Sequence, residues 1–158
     1  MSKIKVADFY YGAVLSMLFN NKINPALVES NDSRQIYDFT TNRGEFRIFI
    51  KYRADRQPTK TIDYNSWVFN LTETDKIEIK NYIASGYNLL LTLVCGIEGL
   101  SDSEVAVVDK EQVEELMNLG KDSITISRKK NEKSYRISIG GGRENAILVR
   151  SNRFEELF

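Results

Sequence analysis

The run Leu89-Leu-Leu-Thr-Leu-Val-Cys95 is apolar on both of its alternations, interrupted only by Thr92. A strand of that kind has no face to give to water, so it predicts a central strand covered on both sides. It is too short to cross a membrane, and no window of the sequence approaches the ~18 apolar residues a span requires. The chain is therefore expected to be soluble and to make no membrane contact. Its 158 residues are enough to close one core without staples, which predicts a single domain over 1–158.

Elements on either side of this run alternate between helical and strand periods. Ala7, Tyr10 or Tyr11, Val14 and Leu18 recur at three-to-four spacing and predict a first helix over 7–19. Pro25 is placed to open a short second turn through Ala26-Leu-Val28, followed by turn chemistry at Asn31-Asp-Ser33. From Ile36 to Arg53 the chain reads as two strands joined by a tight turn containing Gly44. A two-residue turn at Arg43-Gly44 would pair Asp38 with Phe49 and keep it on the Lys51 face, whereas a three-residue turn with Gly44 as bulge would pair it with Ile48 and turn it away. Phe46, Ile48, Ile50 and Tyr52 share one face of the second strand, and Arg47, Phe49, Lys51 and Arg53 share the other. A polar loop over 54–64 precedes a short strand, Ser66–Asn70, whose Trp67 and Phe69 face one layer. Thr72-Glu-Thr-Asp75 has the form of a helix cap before Lys76–Ala84, and Gly86 stops that helix.

Beyond the apolar run, Glu104–Val108 predicts a strand, Asp109–Gln112 caps a helix over 113–119, and Gly120 ends it. Ser123–Arg128 and Ser134–Ile139 form a second hairpin, and Asn145–Arg150 a last strand. The expected class is α/β or α+β, a mixed sheet flanked by helices with extra C-terminal strands.

Residue types narrow the chemistry. The chain has no histidine, which removes Ser-His and Cys-His catalysis and most zinc sites. Its one cysteine, Cys95, lies in the apolar run and reads as a buried inert thiol, so no disulfide forms within the chain. With Met1–Val6 continuing into an amphipathic pattern rather than an apolar leader, a cytoplasmic location is expected. Lys plus Arg and Asp plus Glu both number 22, so nucleic-acid binding would need a local basic patch. Arg47, Lys51, Arg53, Arg56 and Lys60, interleaved with Tyr52 and Tyr64, supply one candidate. Arg128, Lys129, Lys130 and Lys133 at the tip of the second hairpin supply another. Gly140-Gly-Gly142 has neither a following Lys-Ser or Lys-Thr pair nor a helix, and reads as a turn rather than a phosphate cradle.

Asp38 on the first strand of the 36–53 hairpin and Lys51 on the second, in this order of helix, hairpin, short strand, helix and buried strand, make residues 7–96 resemble the restriction-endonuclease-like PD-(D/E)xK nucleases. Residues 97–158 form an extension outside that likeness. The resemblance implies divalent metal, magnesium, on carboxylates, with a lysine to stabilise the nucleophile or transition state. Asp38 and Lys51 then stand at the catalytic places, but Phe49 occupies the position of the second acid. Asp38 would carry the metal with a displaced acid drawn from Asp8, Glu45 or Glu78, and Arg47, Arg53, Arg56 and Lys60 would meet DNA or RNA. Such a site is expected either to be degenerate and non-cleaving or to work through the displaced acid. The alternative is a protein-interaction domain, of the immunity, inhibitor or phage-accessory kind, on the same scaffold. Asp38 and Lys51 also fit a plain cross-strand pair.

Overall fold

The computed structural model of the chain describes residues 1–59 and 63–158. Helix α1 spans Val6–Asn20 and is followed by strands β1 (Ala26–Ser30), β2 (Gln35–Thr41), β3 (Gly44–Arg53) and β4 (Tyr64–Asn70). Helix α2 (Glu73–Ala84), β5 (Leu89–Cys95), β6 (Glu104–Val108), α3 (Lys110–Asn118), β7 (Ser123–Lys129), β8 (Ser134–Ile137) and β9 (Ile147–Arg150) complete the order. The class is mixed α+β. Among the described residues no helix is long and apolar enough to cross a membrane.

Two sheets form instead of one. The first runs β1-β2-β3-β5-β6, and the second β4-β7-β8-β9. In the first sheet only β3 and β5 are parallel, because the chain between them crosses over through α2, as a parallel connection requires. β5 is buried at all seven positions, as its sequence demands, although the middle strand of the sheet is β3. β4 leaves this sheet to pair with β7, so the division at residue 96 is crossed by the second sheet.

Period-two alternation sends alternate residues of the first sheet into two cores. Tyr37, Phe39, Ile48, Ile50, Leu90 and Val94 meet Tyr10, Tyr11, Val14 and Leu18 of α1. The opposite face, with Ile36, Phe49, Leu91 and Leu93, meets Ile79 of α2, Leu116 of α3 and the inner residues of the second sheet, including Trp67 and Ile126. The indole Nε1 of Trp67 donates to the Gly96 carbonyl at 2.8 Å, tying the sheets together. Gly96 passes so close to β3 that a Cβ there would lie 2.6 Å from the Ala54 carbonyl oxygen, which requires glycine.

Two local expectations change. Ala26–Ser30 is not a helical turn but an edge strand, pairing Ala26 with Asp38 and Leu27 with Tyr37 across a bulge at Val28. Proline suits the first position of an edge strand as well as that of a helix, since neither needs its missing N–H. The β2–β3 turn is two residues, Asn42-Arg43, with Thr41 paired to Gly44. The positive φ of +132° falls on Gly44, the first residue of β3.

Candidate functional site

The hairpin register sets the site. A turn at Asn42-Arg43 pairs Asp38 with Arg47 and Ile36 with Phe49. Asp38 and Lys51 therefore do share one face of the sheet, but Lys51 lies four residues beyond the residue opposite Asp38, about 13 Å along the strand at ~3.3 Å per residue. They do not converge.

Each has its own counter-ion. Both carboxylate oxygens of Asp38 accept from Arg47, at 2.7 Å from Nε and 2.8 Å from a terminal nitrogen. The guanidinium is held 3.7 Å from the Tyr87 ring centre and 4.6 Å from that of Tyr82, and its hydrogen bonds to Asp38 hold it firmly charged. The ammonium of Lys51 donates to Asp75 at 2.7 Å and to the Ser33 carbonyl at 3.3 Å. The other oxygen of Asp75 accepts from Arg34 at 2.9 Å, and Arg34 also forms a two-pronged pair with Glu29.

Asp75 is the third residue of α2 and closes its capping box, accepting from the Thr72 amide while its own amide donates to Thr72. Burial alone would push its carboxyl pKa up. The hydrogen bonds from Lys51, Thr72 and Arg34 outweigh that and hold it below the usual carboxylate value. Glu78, one turn further along α2, lies 3.8 Å from Arg34. Burial first, and then the neighbouring Glu78 carboxylate, push the Tyr82 hydroxyl up to about 12.

The remaining candidate acids are scattered. Asp8 accepts from the Lys5 amide at the start of α1, on the opposite side of the sheet from Asp38. Glu45 lies on the Asp38 face and lines the same cleft. Among the described residues no three His, Cys, Asp or Glu side chains are grouped to hold a metal ion. Magnesium does not fit at Asp38, because Arg47 occupies both carboxylate oxygens and supplies the positive charge there.

The expected nucleic-acid cations are largely committed. Arg47 is buried in its pair, and Arg56 donates to Asn65 and to Glu98. Arg53 is exposed and lines a small cleft beside Lys51. Lys60 lies outside the described residues. Among the described residues, Arg128 is paired with Glu104, whereas Lys129, Lys130 and Lys133 are exposed at the β7–β8 tip.

Beside Asp38 lies a cleft of about 660 Å³ bounded by β1–β3 and the α2–β5 connection. Its walls include Asp38, Glu45, Arg47 and Tyr87. Asp75, Arg34, Tyr82 and Tyr87 escape a sequence reading. Asp75 is legible as a cap, but its second role as a buried counter-ion depends on how α2 lies over β3. Cys95 is buried, and burial pushes its thiol pKa well up, in line with an inert role. Comparison of the chain with protein-family models, with curated proteins and with solved structures returned no match.

Proposed function

We propose that this chain is a non-cleaving protein-interaction domain on a nuclease-like scaffold. The observation that carries it is the separation of Asp38 from Lys51, with each neutralised by its own partner. A lysine that hydrogen-bonds a buried aspartate is not free to stabilise a developing phosphorane. A carboxylate gripped on both oxygens by arginine is not free to take a metal.

The surface supports a protein partner. Phe9 and Phe19 of α1 and Leu27 and Val28 of β1 are each at least 40% exposed, and exposed apolar surface is what protein interfaces use. A second reading, contact with nucleic acid, is favoured among the described residues by Lys129, Lys130 and Lys133, exposed together at the β7–β8 tip.

Two measurements test this. Incubation with single- and double-stranded DNA and RNA in magnesium or manganese should give no cleavage. Cleavage that is lost in Asp38→Ala would overturn the reading. Binding to the same nucleic acids at low salt should be weak or absent. Tight binding with a steep salt dependence that Lys129→Ala and Lys130→Ala reduce would put the second reading first.

A further inference from the structure

β1 is the end strand of its sheet among the described residues, so one side of its backbone has no partner strand. Edge strands are commonly guarded by lysine or by inward-turned charge. Ala26-Leu-Val-Glu-Ser30 has no lysine, its one acid turns to Arg34, and Leu27 and Val28 are 60% and 40% exposed. Such an edge is a template for another strand.

The cleft lies directly beside this edge. Ala26 pairs with Asp38, so its small side chain forms the rim of the cleft, while Leu27 faces the α1 side. A strand laid along β1 would alternate in the same way, sending one side chain over Ala26 into the cleft and its neighbours toward Leu27.

The cleft walls specify what that side chain is. Glu45 is exposed and the Asp38 side chain is 39% exposed, whereas Arg47 is only 8% exposed. The Asp38–Arg47 pair is neutral within itself, so Glu45 leaves the cleft net negative. Tyr87, 40% exposed, carries the Arg47 guanidinium on its ring and forms part of the wall. An exposed carboxylate suits an ammonium or guanidinium group and disfavours a phosphate.

Resting on the interaction reading above, we propose that β1 receives an extended segment of a partner protein by strand addition, with an arginine or lysine of that segment entering the cleft against Glu45. Backbone hydrogen bonds supply the generic affinity, and the cleft supplies the choice of a basic residue.

The probe is the capped peptide Thr-Val-Arg-Val-Thr, titrated at low salt into the isotope-labelled full chain while amide shifts are followed. Two further forms carry N-methyl groups on one or the other set of alternate amides. Saturable shifts are expected at residues 24–28 and 85–88, with loss of binding in one of the N-methylated forms. Replacing the peptide arginine by glutamate should weaken binding by about tenfold or more, and Glu45→Gln should weaken it about threefold. Among the described residues Glu45 forms no ion pair, so that variant should keep its stability. Absence of saturable shifts at about 5 mM peptide, or equal binding of the arginine and glutamate peptides, overturns the proposal. A dimer joined through β1, detected by sedimentation and insensitive to the peptide, also overturns it by giving the edge to a second copy. A purified protein partner that binds through another face would overturn the β1 assignment while leaving the interaction reading in place.

Discussion

The group formed by Arg34, Asp75 and Lys51 and the pair formed by Asp38 and Arg47 lie on one face of one sheet, yet water reaches them very differently. The Asp75 side chain is 1% exposed and that of Asp38 is 39% exposed. A buried ionic group is costly to disturb one member at a time, because the remaining charges are left without compensation. It fixes the N-terminal end of α2 over the sheet and has little freedom to meet a ligand. The Asp38 pair borders the cleft, where solvent reaches the acid but not Arg47. Both assemblies use an acid and a base on neighbouring elements. Burial assigns the first to architecture and leaves the second in reach of water on its acid side.

The largest effect that tests this contrast is expected from Asp75→Ala, which strands Lys51, takes one partner from Arg34, leaving it Glu29, and removes a helix cap. A loss of about 3–5 kcal/mol should be seen in urea unfolding. Replacing all three, as Arg34→Met, Lys51→Met and Asp75→Leu, should cost much less than Asp75→Ala alone if uncompensated charge is the cause. An equal or greater loss would show that the group is needed for more than mutual neutralisation.

Leu91→Ala offers an apolar comparison on the adjacent strand. Leu91 is 0% exposed, and its truncation should cost about 2–5 kcal/mol, depending on how far the site collapses. A loss under about 1 kcal/mol would place the core elsewhere.

Acid should act on the buried group. The folded-state pKa of Asp75 is depressed. Its contribution is therefore fully present above the unfolded carboxylate value, near pH 4, and drains away as pH falls through the lower folded value. The urea midpoint of the wild-type chain should decline below about pH 4, and the decline should be shallower in Asp75→Asn.

The smallest expected effect is that of Asp38→Asn, about 1–2 kcal/mol, because solvent reaches Asp38 while the buried Arg47 loses its counter-ion and keeps its Tyr82 and Tyr87 contacts. A loss of several kcal/mol would merge the two assemblies and weaken the case for a recognition role at the cleft.

Several features were legible because they are written in local pattern. β5 has apolar residues on both alternations and is buried throughout. The caps of α2 and α3 form where their Thr72 and Asp109 signals stand. Asp38 and Lys51 fall on one face because a two-residue turn at either position preserves the parity of the register. The turn itself was displaced by one residue, which moved Asp38 from opposite Phe49 to opposite Arg47 and separated the acid from the lysine. Gly44 stands beside the turn rather than in it, its positive φ being taken up at the first strand residue, a difference that composition does not encode.

The sequence by itself determined the helices, most strands, the α+β class, the buried thiol and the absence of any histidine chemistry. These follow from periodicity, capping and residue type, which act over a few neighbouring positions. The tertiary structure alone decided that β4 joins the C-terminal strands in a second sheet, that Ala26–Ser30 is an open edge, and that Lys51 belongs to Asp75. Those outcomes depend on which elements meet across the core. Asp75 lies 24 positions from Lys51 and 41 from Arg34, so only the docking of α2 over the sheet brings the three charges within hydrogen-bonding distance.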